Sequence, residues 1–233
     1  MFKGGLSAIV PVRAGSKRLK NKNILPFGES NLLIHKIRQL KKVRCIDEII
    51  VSSDSDEMLE MAFEENCLTH KRELIFADEK TKSFSEVVVY LAQNAGSKEH
   101  ILYAPCVCPL CDENDFTQAL NVYQKILLSK EFDSVISIKS FKEYLWDEEK
   151  PINYTLGVGH VPSQNLPDFE VVVNGFYVAP RQKMIEWKYF FGPKPYRFKI
   201  DTIHAIDIDT NFDYLCARLA YDMSMGGGGS KNL

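Results

Sequence analysis

The residues between Ala8 and Asn23 limit the fold more than any other part of the chain. Ala8, Ile9, Val10, Pro11 and Val12 read as a buried strand, after which the chain turns through Ala14, Gly15 and Ser16. Arg13, Lys17, Arg18, Lys20 and Lys22 all follow within this turn and its exit. A glycine-containing loop leaving the C-terminal end of a buried strand is where open α/β sheets bind ligands. Gly15 lets a backbone approach closely, and successive backbone N–H groups can form an anion-binding concavity. Five cations there suit a triphosphate, since arginine grips phosphate as a planar fork and lysine as a point charge. The loop matches neither GxxxxGK[ST] nor GxGxxG. A solvated basic surface loop is the other reading of the same residues.

The rest of the chain alternates between strand and helix patterns, which favours a mostly parallel, helix-covered sheet. Leu33, Ile37 and Leu40 recur at helical spacing within Leu32 to Val43. Glu48 to Ser53 is a second buried strand, followed by a short helix from Glu57 to Asn66. Ser83 and Glu86 form a capping box for the helix after it. His100 to Ala104 reads as a strand, Asp112 to Leu128 as an amphipathic helix, and Phe132 to Ile138 as a return to the sheet. Prolines, glycines and aromatics from Lys139 to Pro167 indicate an excursion, before Val171 to Ala179 resumes strand character. His204 to Asp209 reads as a last strand, and Thr210 with Asp213 opens a helix to about Met223.

The 233 residues fit one α/β domain over 1–225, with the excursion placed at about 139–190 and a GGGGS-containing tail at 226–233. A formal charge of −2 argues against a nucleic-acid partner bound by overall basicity, so any phosphate attraction is local. No apolar run approaches the ~18 residues of a membrane span, and the N-terminus does not read as a secretory signal. Six cysteines fit reduced thiols of a cytoplasmic protein better than a disulfide framework. Cys106, Cys108 and Cys111 have a C-x-C-x-x-C spacing that can recruit a soft metal, but small buried side chains explain them more simply.

The segment AIDIDT carries the second chemical signal. In a strand, Asp207 and Asp209 leave on one face, about 6–7 Å apart along it. Such a pair can hold a hard divalent cation that also touches phosphate oxygens. Alternatively, one aspartate caps the final helix and the other is merely exposed.

RAGSKRLKNKN after a buried strand, NGFY at Asn174 to Tyr177, and AIDIDTNFDY together resemble the CMP-sialic acid synthetase (acylneuraminate cytidylyltransferase) family, which includes legionaminic and pseudaminic acid cytidylyltransferases. The resemblance runs from about Leu6 to Met223. It implies a Rossmann-like, mostly parallel sheet of the nucleotide-diphospho-sugar transferase type, with a small dimerisation subdomain and a homodimer. It also implies Mg²⁺-dependent transfer of CMP from CTP to an acidic sugar, in service of cell-surface polysaccharide synthesis. An acceptor such as 3-deoxy-octulosonic acid, or a non-catalytic nucleotide-binding relative, is the alternative.

Carried over by position, Arg13 and Lys22 grip the triphosphate, Ser16 belongs to the same motif, and Lys17 neutralises the leaving pyrophosphate. Asn23, Arg72 and Ser83 fall towards the nucleoside. Gln164, Asn174, Phe190 and Phe191 fall towards the sugar, and Asp207 and Asp209 match the metal pair. Two departures stand out. The family's Q-P-T-S-P-L-R appears as Pro105 to Cys111, without its glutamine and arginine, and R-Q-x-L-P appears as Ser163 to Pro167, with serine for arginine.

Overall fold

The opening apolar run becomes an interior strand of a seven-stranded sheet in the computed structural model, which describes residues 2–16, 18–78 and 80–226. In chain order the elements are β1 (Leu6–Pro11), β2 (Pro26–Phe27), β3 (Ser30–Asn31), α1 (Leu32–Lys41), β4 (Glu48–Ser53), α2 (Asp56–Glu64) and β5 (Leu68–Lys71). They continue with α3 (Phe84–Asn94), β6 (His100–Tyr103), α4 (Glu113–Ser129), β7 (Ser134–Phe141), β8 (Phe169–Pro180), α5 (Arg181–Trp187), β9 (Pro195–Lys199) and α6 (Asn211–Gly226). The sheet runs β5-β4-β1-β6-β8-β7-β9, with β2 and β3 forming a separate ribbon. β5, β4, β1 and β6 are parallel neighbours, and β9 is parallel to β7. β8 is antiparallel to both β6 and β7. The mostly parallel α/β reading therefore holds.

Alternation along β1 builds two cores. Leu6, Ala8 and Val10 face Leu33, Ile37 and Leu40 of α1 and Phe116, Leu120 and Tyr123 of α4. Ile9 faces the other way, onto Leu91 and Ala92 of α3 and Met184 of α5. The helices α1 to α4 start where the sequence supplies an acceptor for orphan N–H groups, whereas α5 opens at Pro180 without a side-chain cap. Asn31 and Ser55 cap α1 and α2, and reciprocal capping boxes open α3 at Ser83 with Glu86 and α4 at Asp112 with Asp115.

Three departures from the sequence reading concern the seven-stranded sheet. β5 and β9 were not expected: the first has a polar sequence suited to an exposed edge, and the second begins at a proline. His204 to Asp209 is not a strand. After the Ile200 N–H donates to the Ile138 carbonyl, Ala205 bonds back to Asp201 and Ile206 to Ile203, folding the chain into turns. Its buried residues, Ala205 and Ile208, are three apart rather than alternate, and the segment joins no strand of the sheet. The excursion leaves the sheet after Phe141 and returns at Phe169, whose partners in the ladder are each other. Residue 17 and residues 227–233, which include most of the GGGGS tail, lie outside the described residues. Among the described residues no helix is long and apolar enough to cross a membrane.

His35 on α1 sits edge-on to Phe27, with ring centroids 4.9 Å apart, and its Nε2 donates to the Pro109 carbonyl at 3.2 Å. Burial, reinforced by the neighbouring Lys36 charge, pulls its pKa down from 6.5 to about 4. The unfolded chain therefore binds a proton below pH 6.5 that the folded chain refuses until about pH 4. Stability falls as pH drops through that window, with a slope from this group approaching ~1.4 kcal/mol per pH unit. Chemical denaturation between pH 7 and pH 5 should show this loss, and His35→Gln should flatten it. An unchanged slope in the variant would assign the pH dependence elsewhere.

Candidate active site

A cavity of about 300 Å³ opens where the carboxyl ends of β1 and β6 meet the bulged middle of β8. Its cationic wall comes from the loop after β1. Gly15 there adopts φ +71°, a backbone region that side chains disfavour, and its surroundings are open, so conformation rather than space demands glycine. Asp54 at the end of β4 accepts the Ala14 N–H at 3.0 Å, fixing the turn. Arg13, Ser16, Arg18, Lys22, Asn23 and Arg72 all line the cavity. Arg13 Nη1 donates to the Ala77 carbonyl at 3.0 Å.

Arg72 is almost fully buried. Its Nη2 donates to the Val12 carbonyl, while Nε has no acceptor in the protein. An unpaired buried guanidinium N–H is costly, so a group at this position has an incentive to receive a ligand oxygen. Buried Asn23 joins the loops: its Nδ2 donates to the Arg13 carbonyl at 3.0 Å, and its Oδ1 accepts from Cys106 Sγ at 3.3 Å.

The opposite wall is acidic and depends on a β-bulge. The β7–β8 register breaks between Ile136 and Ile138, leaving Val173 to Phe176 outside the regular ladder. Ser137 Oγ, buried at the break, donates to the Val173 carbonyl at 2.9 Å and accepts the Phe176 N–H at 3.0 Å. It thereby satisfies backbone groups the bulge frees, and Asn174 is turned into the cavity. A side chain at Gly175 would crowd Ser137 Oγ at 3.0 Å and Cys111 Sγ at 3.4 Å. Asn174 Nδ2 donates to Asp207 Oδ2 at 2.7 Å, and Tyr177 donates to Asn174 Oδ1 at 3.0 Å.

The two aspartates meet different environments. Burial raises the Asp207 pKa, with the nearby Asp209 charge adding to it and the Asn174 bond opposing it. Asp209 is held by cations, with Lys22 Nζ at 3.1 Å and Arg18 Nη1 at 3.0 Å. Lys22 also donates to the Ile208 carbonyl at 2.8 Å. Asp209 lines the main cavity, whereas Asp207 lines an adjoining groove floored by Lys139, Val173 and Cys216. The common-face geometry expected of a strand is therefore replaced by a turn that brings the carboxylates to neighbouring hollows. Two hard carboxylates suit Mg²⁺, which takes one or two protein carboxylates and completes its octahedron from phosphates and water. The one group of three possible ligands among the described residues is Asp112, Asp115 and His204, which includes neither Asp207 nor Asp209. Its contacts are accounted for by the α4 capping box and the 2.7 Å pair between His204 and Asp115.

Several expected residues stand apart from the cavity lining. Ser83 spends its hydroxyl on the α3 cap, and the adjacent Phe84 lines the cavity instead. Phe190 lines it and packs on Tyr103 at 3.9 Å, while Phe191 stacks on the outer side of Tyr177 at 5.9 Å. Gln164 is exposed on the excursion, where its carbonyl accepts from Lys142 at 3.2 Å. Lys17 lies outside the described residues. Phe84 and Tyr103 were missed, although Tyr103 ends a strand, which is where ligand-facing residues collect in such sheets, and Arg18, read only as one of five loop cations, also lines the cavity. Cys106, Cys108 and Cys111 are all buried, and burial raises their pKa values, to about 11 for Cys106.

A sequence profile described as Cytidylyltransferase matches residues 7–103, spanning β1 to β6. The pseudaminic acid cytidylyltransferase of Campylobacter jejuni is 25% identical over 227 residues, covering 93% of this chain and 96% of that protein. The N-acylneuraminate cytidylyltransferase of Escherichia coli O18:K1:H7 is 26% identical over 216 residues, and this chain spans half of its length. In structure, the chain is similar to CMP:2-keto-3-deoxy-manno-octonic acid synthetase complexed with CTP, with a TM-score of 0.63 at 11% identity over 94% of this chain and 99% of that one. That likeness bears on the fold alone. By a profile over its first strands and by near-full-length similarity to pseudaminic acid cytidylyltransferase, the chain is similar to the cytidylyltransferases.

Proposed function

We propose that this chain is a nucleotidyltransferase that moves CMP from CTP onto a sialic-acid-like nonulosonic acid and releases pyrophosphate. The observation that carries this reading is the position of Lys22, which joins the cationic loop to the Asp209 carboxylate across one cavity. Cations for phosphates beside carboxylates for a divalent ion are the parts that phosphoryl-type transfer needs. The pseudaminic acid and N-acylneuraminate cytidylyltransferases among its relatives support the acidic-sugar acceptor.

In this reading Arg13, Ser16 and Lys22 bind the triphosphate, with Lys17 neutralising the departing pyrophosphate. Asn23 and Arg72 meet the nucleoside, the unpaired Arg72 Nε being a ready donor. Ser83 acts there by fixing the start of α3 and hence Phe84. The acceptor hydroxyl attacks the α-phosphorus as the bond to the β-phosphate oxygen breaks. Asn174 and Phe190 border the acceptor, with Phe191 supporting the aromatic wall. Asp207 and Asp209 are the residues that would hold Mg²⁺, whose bound form supplies charge neutralisation at the α-phosphate and a more acidic hydroxyl. Lys22 and Arg18 must then be shared between Asp209 and the incoming phosphates.

We also assign a homodimer. The excursion exposes Trp146, Ile152, Leu156 and Val158, an apolar surface of the kind a partner covers. Gln164 and Ser163 sit exposed on the same excursion and outside the cavity lining, and in this reading they meet acceptor across such an interface.

Four outcomes test these assignments. Pyrophosphate release should favour CTP over the other three nucleotides by about a hundredfold or more, because base recognition leaves polar groups unpaired with the wrong base. It should favour nonulosonic acids over 3-deoxy-octulosonic acid, and activity with the octulosonic acid alone would replace the assigned acceptor. Asp209→Ala should keep its melting temperature yet lose about 2.7–4 kcal/mol of transition-state stabilisation, a hundred- to thousandfold in kcat. Near-normal turnover would remove Asp209 from the chemistry. Sedimentation equilibrium should give twice the 26.6 kDa chain mass, and a stable monomer would leave the excursion without its assigned role.

A further inference from the structure

Lys36 has no role in the reaction as derived above, yet it is wholly buried in the α1–α4 core. Its Nζ donates to the Cys108 carbonyl at 3.0 Å and to the Cys111 carbonyl at 2.7 Å, and lies 4.8 Å from the centre of the Phe116 ring. Among the described residues it forms no ion pair. Burial lowers its pKa, the direction in which desolvation pushes an ammonium. A leucine or methionine would fill this space with no desolvation cost, so packing does not explain an ammonium here.

What the ammonium holds is a turn. The Cys111 N–H donates to the Cys108 carbonyl at 3.3 Å, and Lys36 grips the carbonyls at both ends of that turn. The Pro109 carbonyl between them receives Gln39 Nε2 at 2.8 Å and His35 Nε2 at 3.2 Å, so one face of α1 keys the whole loop. The loop in turn makes two outward bonds. The Val107 carbonyl accepts the Ile208 N–H at 2.9 Å, between the two aspartates, and Cys106 Sγ donates to Asn23. The Ile208 carbonyl on the same residue receives Lys22.

We propose that Lys36 is a positioning residue for the reaction, setting the Cys106–Cys111 loop and through Val107 the placement of Asp207 and Asp209. This rests on the reading of those aspartates as the metal-holding pair. Groups that orient a metal's ligands through one intermediate typically alter metal affinity or activity by 10- to 100-fold when removed. The position also coincides with a departure in sequence: Cys111 stands where the family resemblance places an arginine, and the cation now enters the same turn from α1.

The test compares wild type with Lys36→Met, which keeps length and removes the charge and both donors. Four readouts are needed: kcat, KM for CTP, Mn²⁺ affinity measured by electron paramagnetic resonance, and amide exchange at Ile208. In a variant shown to be folded by near-ultraviolet circular dichroism, kcat should fall about 30-fold and Mn²⁺ binding weaken about tenfold. KM for CTP should change less than about threefold, and the Ile208 amide should exchange faster while β1 amides stay protected. A purely structural lysine would lower the melting temperature and leave all four unchanged, which would overturn the proposal. If Lys36→Met does not fold, Lys36→Gln keeps one donor and is read the same way. Wild-type protein that makes product without binding Mn²⁺ would overturn the metal reading of the aspartates. The positioning role would then stand or fall on kcat and on Ile208 exchange.

Discussion

One ammonium group ties together the two most distant parts of the site. Lys22 Nζ reaches both the Ile208 carbonyl and Asp209, residues more than 180 positions further along the chain. Charge attraction alone would not secure this join, because Asp209 is partly exposed and surface ion pairs contribute roughly 0–1 kcal/mol. The carbonyl bond makes the difference, since it is directional and Ile208 is fully buried. Two further bonds, from the Asp209 and Thr210 amides to Asp213, hold the segment at the start of α6. The acidic wall is thus fixed from the loop side, the helix side and the sheet side, the last through Asn174.

Much of the fold was legible because local chemistry and burial agree. Apolar alternation at β1 and β4, and caps at Ser83 and Thr210, mark elements whose ends are decided within a few residues. β5 was hidden because its polar sequence gains strand form only from pairing with β4. The His204 to Asp209 segment misled in the opposite sense. Its alternation of aliphatic and acidic residues mimics a half-buried strand, yet its backbone N–H groups find partners three or four residues back and in the Cys106–Cys111 loop.

The site was legible where function needs a residue type, and obscure where it needs a contact. Arg13, Lys22, Asn174 and Asp209 announced themselves by charge or motif and share the cavity. Phe84 and Tyr103 are aromatic walls that resemble ordinary core residues in sequence, so only tertiary placement shows them. Ser83 could be recognised as a cap, and its hydroxyl has one task at a time. Arg18 was visible as one of several cations, but nothing in the sequence distinguished it as the one that joins Lys22 at Asp209.

The β-bulge at Ser137 separates two kinds of variation. Beyond it, β7 and β8 run on as a regular ladder to Phe141 and Phe169 before the excursion begins. A strand pair pinned at an internal serine cannot pass a slip in register from its tip back to its base. Insertions or deletions in the 142–168 segment would then be taken up at the tip, at a closure cost that grows only slowly with loop length. A chain built this way can change what its outer arm touches while Asn174, and the Asp207 carboxylate bonded to it, stay where they are, so the arm is free to vary faster than the cavity wall behind it.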